Sequence, residues 1–272
     1  MAPYIFLCVI AALVAFGLRA WRKRSRRLAL LDTPLSAQDW AIIRDHVPLI
    51  KRLPKNLEQS FAGKVNLFLD QVDFYGGGGL EITEEMQLSI AAQASLLIVN
   101  SDAWYKTLRT VVIYPSAFKS KQANHEGFVV HEKDEIRLGE SWTHGPVILS
   151  WAHSQQGAIN AFDGHNVVLH EFAHQLDGLS GATNAVPRLR KGHSFAEWEQ
   201  VMLSAYDAHV KNVGRGRKSV LDAYGAQNHE EFFAVAIEVF FEKPTQLTDE
   251  FPEVYAQLSK LLAVDPARWG GE

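Results

Sequence analysis

The residues from Val167 to His174 read VVLHEFAH, and they bring the chain's clearest chemistry with them. Two histidines four apart lie on one face of a helix, so the imidazoles of His170 and His174 converge on a single metal ion. Glu171 stands beside the first histidine, within reach of a water on that metal. A bound zinc lowers the pKa of such a water towards ~7, and a carboxylate can then take its proton. The pattern H-E-x-x-H therefore points to metal-assisted hydrolysis. Its flanks are apolar (Val167, Val168, Leu169, Phe172, Ala173), which describes a buried helix holding its ligands rigidly. Two histidines and a glutamate on such a helix would be costly without a partner.

A catalytic zinc commonly takes three protein ligands and keeps one position open. The extended pattern with a third histidine fails here, because Asp177 and Ser180 occupy the places of its glycine and histidine. A glutamate from a later helix is the other main solution. Glu231 opens the apolar run FFAVAIEVFF and could turn its side chain to the metal. By spacing alone Glu230 and His229 compete with it. Asn228 and Glu231 also stand at capping-box spacing, which would make Glu231 only a helix cap.

The elements that must position these residues follow from periodicity. Apolar residues recur at helical spacing over Ala37–His46, Asn56–Val72 and Glu84–Val99. Short β-type runs, separated by polar turns, follow at Val111–Tyr114, Phe128–His131, Glu135–Leu138 and Val147–Trp151. Helices return at Asn166–Leu176, Ser194–His209, Glu230–Phe241 and Asp249–Leu262. Helices, then strands, then helices make an α+β domain, with helices flanking a small sheet. Val147–Trp151, just ahead of the metal helix, is the expected edge strand along which an extended peptide would lie.

Three runs carry a resemblance: VVIYPSAF, NVVLHEFAHQLDGLSGATNAVP and VLDAYGAQNHEEFFAVAIEVFF. Together they resemble the Mlc titration factor A family of zinc peptidases, over most of the chain from about Leu31 onward. The resemblance implies a single zincin-like metallopeptidase domain of the glutamate type, with zinc held by His170, His174 and Glu231. It implies that Glu171 is the general base and that Tyr224, seven residues before Glu231, donates to the developing oxyanion. It implies a peptide or protein substrate, with an aminopeptidase as one form of the activity. It also implies a second kind of partner, since members can sequester a transcriptional repressor that controls glucose uptake. Asp177, one turn beyond His174, is a candidate to orient a ligand imidazole. Glu238, two turns after Glu231 on the same face, is expected as a buried hydrogen-bonding partner.

Composition narrows the remaining classes. Cys8 is the sole cysteine, which excludes a disulfide framework and a cysteine-ligated metal. The net charge of -4 hides an uneven distribution: Arg19, Arg22, Lys23, Arg24, Arg26 and Arg27 cluster near the start, against Asp32. The rest is acidic, which argues against direct nucleic-acid binding. Ahead of that basic cluster, Tyr4–Leu18 carries no charge. Positive residues after an apolar run stay cytoplasmic. Residues 1–33 are therefore expected as a membrane anchor and basic juxtamembrane segment. Residues 34–272 would be a peptidase domain at the cytoplasmic face of the inner membrane, or in the cytoplasm if the anchor is not used.

Overall fold

The computed structural model describes all residues except 1, 127–128, 138, 142–144, 182–184 and 271–272, with side chains described outside 1–11 and 118–144. Helix α1 (Ala2–Asp32) leads into α2 (Ala37–His46), α3 (Lys55–Gln71), strand β1 (Asp73–Gly76) and α4 (Glu84–Leu96). The strand-rich middle holds β2 (Thr110–Tyr114), β3 (Phe118–Glu126), β4 (Val129–Arg137), β5 (Gly139–Ser141) and β6 (Val147–Ser150). Then come α5 (Trp151–Ile159), α6 (Val167–Asp177), α7 (Phe195–Gly214), α8 (His229–Glu242), α9 (Pro244–Glu250) and α10 (Pro252–Leu262). The architecture is α+β and mostly helical.

Local chemistry explains several boundaries. Ser36 starts α2 with a reciprocal capping box to Asp39. Asn166, Ser194 and Asn228 each cap the following helix by accepting a backbone N–H three residues on. The expected single helix Asp249–Leu262 is two, α9 and α10. Pro252 at the start of α10 cannot supply the N–H that would continue the α9 ladder.

The sheet has the order β1-β2-β6-β5, with β1, β2 and β6 parallel and β5 antiparallel to β6. This corrects the expectation that Val147–Trp151 forms an edge. The strand, Val147–Ser150, is interior because β2 and β5 satisfy its two sides, and Trp151 already belongs to α5. The edge beside it is β5, which runs next to α6. A second correction concerns Phe128–His131 and Glu135–Leu138. The polar stretch between them is no turn, because Val129–Arg137 is one strand, β4, paired antiparallel along its whole length with β3. Phe128 and Leu138 lie outside the described residues.

The expected membrane anchor has no support. Among the described residues, no helix is long and apolar enough to cross a membrane. The earlier part of the Tyr4–Leu18 run lies outside the described side chains. The C-terminal half of α1 packs on α3, where Arg26 pairs with Asp70. Gly63 permits this approach: a Cβ there would lie 2.2 Å from the Leu31 carbonyl oxygen.

The core lies behind α6. Phe172 points away from the histidines and packs on Phe68 of α3 and on Tyr105, with ring centroids 5.6 and 5.3 Å away. Buried Tyr105 donates its hydroxyl to the Ala94 carbonyl, 2.9 Å away. Helix α8, almost wholly buried, closes the other side of α6.

Candidate metal centre

Helix periodicity gives α6 two faces. Phe172, Val168 and Leu169 enter the core, while His170 and His174 share the face turned to α8. The two imidazoles sit edge to face, ring centroids 4.9 Å apart, with their Nε2 atoms 3.3 Å apart. Glu231, in the first turn of α8, brings Oε2 to 2.9 Å from His170 Nε2 and 3.6 Å from His174 Nε2. One ligand atom from each of His170, His174 and Glu231 lies within 4.8 Å of the others, so the three could hold a metal ion. The donor set, two imidazole nitrogens and one carboxylate oxygen, suits a divalent metal with an open position.

Helix geometry separates the candidates for the third place, and among the described residues Glu231 is the one that converges with the two histidines. Asn228 caps α8 by accepting the Glu231 N–H at 2.8 Å. The cap uses only Glu231's backbone, so the same residue keeps its side chain for the metal face. His229 lies around the other side of the helix, its ring 4.1 Å from that of Tyr206. Glu230 is not among the converging residues.

Glu238 is two turns further along the Glu231 face of α8 and is buried. Its Oε1 is 2.8 Å from His170 Nδ1, and its Oε2 accepts the Asn166 backbone N–H. A carboxylate at Nδ1 fixes the proton there and leaves Nε2 free for a metal. Asp177 Oδ2 accepts the Ala185 backbone N–H at 2.8 Å, which ties the loop after α6 to the end of that helix. Sequence reasoning passed over Glu242. Its Oε1 accepts from the Asn166 side chain at 3.0 Å and its Oε2 from the Gly164 N–H at 2.9 Å. The signal available was its place one turn after Glu238 on an otherwise apolar helix.

The charges respond to this arrangement. Burial disfavours an ionised Glu231, but hydrogen bonds from His170 and His174 outweigh it and hold its carboxyl down at about 2. Burial likewise opposes protonation of His170, yet hydrogen bonds to Glu231 and Glu238 drive its pKa well above the ordinary histidine range. Burial, with the neighbouring Glu238 charge, pushes Glu242 up to about 8. A cluster of acids holding two imidazoles in this way is suited to receive a cation in place of protons.

Glu171 is buried beside His170, and Tyr224, half-exposed, has its ring 5.8 Å from that of His170. Tyr224 sits in a short helical turn, Ala223–Ala226, which Asp222 caps by accepting the Tyr224 N–H at 2.7 Å.

Comparison with known proteins agrees with this geometry. The chain is 37% identical over 249 residues to an uncharacterized protein of Synechocystis sp., slr2042, covering 90% of this chain and 89% of that one. It is 33% identical over 229 residues to proteins named Mlc titration factor A from Yersinia pestis and Yersinia pseudotuberculosis, covering 81% of this chain and 83% of theirs. The model of the glucose-regulated metallo-peptidase M90 family matches residues 18–262. Membership implies a divalent metal, which the converging His170, His174 and Glu231 are fit to hold. A match that runs from residue 18 to residue 262, through α6, α8 and the core behind them, means that the chain belongs to the glucose-regulated metallo-peptidase M90 family.

Proposed function

We propose that this chain is a zinc-dependent peptidase whose metal is held by His170, His174 and Glu231. The observation that carries the reading is the convergence of these three side chains from two helices, with Glu171 next to the first of them. Zinc bound there supplies Lewis acidity and lowers the pKa of a water beside it. Glu171 takes the proton of the attacking water and delivers it to the leaving amine. The Tyr224 hydroxyl donates to the carbonyl oxygen as negative charge develops on it. Glu238 keeps the His170 proton on Nδ1 throughout. The substrate backbone pairs with the free side of β5, the sheet edge beside α6.

Incubating the zinc-loaded full chain with a mixed peptide library, with Glu171→Gln as control, tests this reading. Cleavage by the unaltered chain alone is expected, and the cut positions tell an aminopeptidase from an internal cutter. Equal cleavage by both proteins, or by neither with zinc bound, rejects the mechanism.

The Yersinia relatives are named as Mlc titration factors, and that name favours a second reading. Here the chain binds a repressor like Mlc, and the metal site is incidental to the contact. Stoichiometric repressor binding, unchanged in Glu171→Gln and without proteolysis, would favour it.

A further inference from the structure

A cavity of about 220 Å³ lies between the N-terminal half of α7 and the first turn of α8. Its lining includes Trp198, Met202 and Leu203 of α7, His229 and Phe232 of α8, and Ala185 of the intervening loop, with the exposed Glu199 the one carboxylate on it. Trp198 and Phe232 are buried, whereas Leu203 and neighbouring Phe195 remain exposed at 44% and 53%. Cavities of about 150 Å³ are already large enough to take benzene, so this one has room for a leucine or phenylalanine side chain.

Two features tie the cavity to the metal centre. First, His229 and Phe232 stand within two residues of Glu231 on the flank of α8 turned to α7, so the opening lies about one helix diameter, ~10–12 Å, around α8 from the metal face. An extended peptide advances about 3.3–3.6 Å per residue, so a side chain a few residues from the scissile bond can reach the opening. Second, Ala185 is held in the left-handed backbone region, φ 58, where a residue with a side chain is strained. Asp177 at the end of α6 accepts its N–H at 2.8 Å, and the Trp198 indole N–H donates to its carbonyl at 3.1 Å. The cavity wall is thus fastened to the helix that carries both histidines. Strain retained by surrounding contacts in this way is characteristic of binding sites.

We propose that this cavity is a specificity pocket that takes an apolar side chain, leucine- or phenylalanine-sized, from the peptide segment flanking the scissile bond. The assignment of that peptide as a substrate rests on the peptidase reading above. The pocket itself does not.

The chain has three methionines, Met1, Met86 and Met202, so the Met202 methyl is a resolvable NMR reporter inside the cavity. The probes are serine-rich octapeptides with one leucine or phenylalanine stepped through the positions, and an all-serine control. With zinc-loaded full-length Glu171→Gln, the Met202 methyl should shift with the apolar peptides and not with the control. The zinc-loaded unaltered chain should cut at a fixed distance from the apolar residue, about tenfold or more faster than in the control peptide. Leu203→Glu, a change at an exposed position, should abolish both the shift and the preference. A Met202 methyl that stays put, or cleavage indifferent to the apolar residue, overturns the pocket. Movement without any cleavage upholds the pocket and rejects the peptidase reading. Cleavage without movement does the reverse.

Discussion

Replacing Glu238 with glutamine should weaken metal binding while leaving the fold in place. The carboxylate of Glu238 accepts at both oxygens, from His170 Nδ1 at 2.8 Å and from the Asn166 backbone N–H. Only in this arrangement is Nδ1 obliged to carry the proton and Nε2 obliged to offer its lone pair. A glutamine has one oxygen and one NH2 group. If the oxygen serves Asn166, the NH2 faces His170 and donates to Nδ1, which favours the tautomer with the proton on Nε2. That tautomer cannot bind a metal through Nε2. If the oxygen serves His170 instead, the NH2 opposes the Asn166 N–H, and a buried donor is left unsatisfied at the head of α6. Losing an outer partner of a metal-bound imidazole typically costs 10–100-fold in metal affinity. That corresponds to about 1.4–2.8 kcal/mol at 1.4 kcal/mol per decade. Competition of Glu238→Gln and the unaltered chain for zinc against a chromophoric chelator measures the ratio, and ¹⁵N spectra of His170 report the tautomer. An affinity equal to that of the unaltered chain, with the proton still on Nδ1, would refute the reasoning.

Two further outcomes are expected. Tyr224→Phe should lower kcat on the order of 100-fold with little change in KM, because the hydroxyl acts on developing charge and the residue is half-exposed; steady-state kinetics on a cleaved peptide gives the split, and an unchanged kcat removes the hydroxyl from the chemistry. Glu242, pushed up to about 8 by burial and by Glu238, holds its proton in the folded chain far above the ordinary value of about 4.3. Its contribution is therefore fully present below pH 4.3 and is lost as pH rises towards 8, by on the order of a few kcal/mol. Glu242→Gln should flatten that decline in urea titrations between pH 5 and 8, and identical pH slopes in both proteins would count against the assignment.

What could be read from the sequence was whatever depends on local spacing. The pairing of His170 with His174 is a property of one helix, since positions four apart always share a face. Glu238 was legible for the same reason, seven residues after Glu231. The helix Ala37–His46 was legible because its apolar residues recur at helical spacing, and its bounds match α2. Glu231 was legible only as one of several candidates. Its backbone role as a capped residue and its side-chain role at the metal face coexist, and spacing cannot show which way a side chain turns. Tertiary structure decided the rest, because it depended on partners far apart in the chain. Whether Val147–Ser150 was an edge depended on β2 and β5 taking its two sides. Whether the polar stretch within Val129–Arg137 was a turn depended on β3 running alongside it. The role of Glu242 depended on Asn166, 76 residues away, arriving at the end of α8. Helical hydrogen bonds close within four residues and leave a periodic trace in the sequence. Strand partners and buried carboxylate contacts are chosen by packing across the whole molecule, and they leave no such trace.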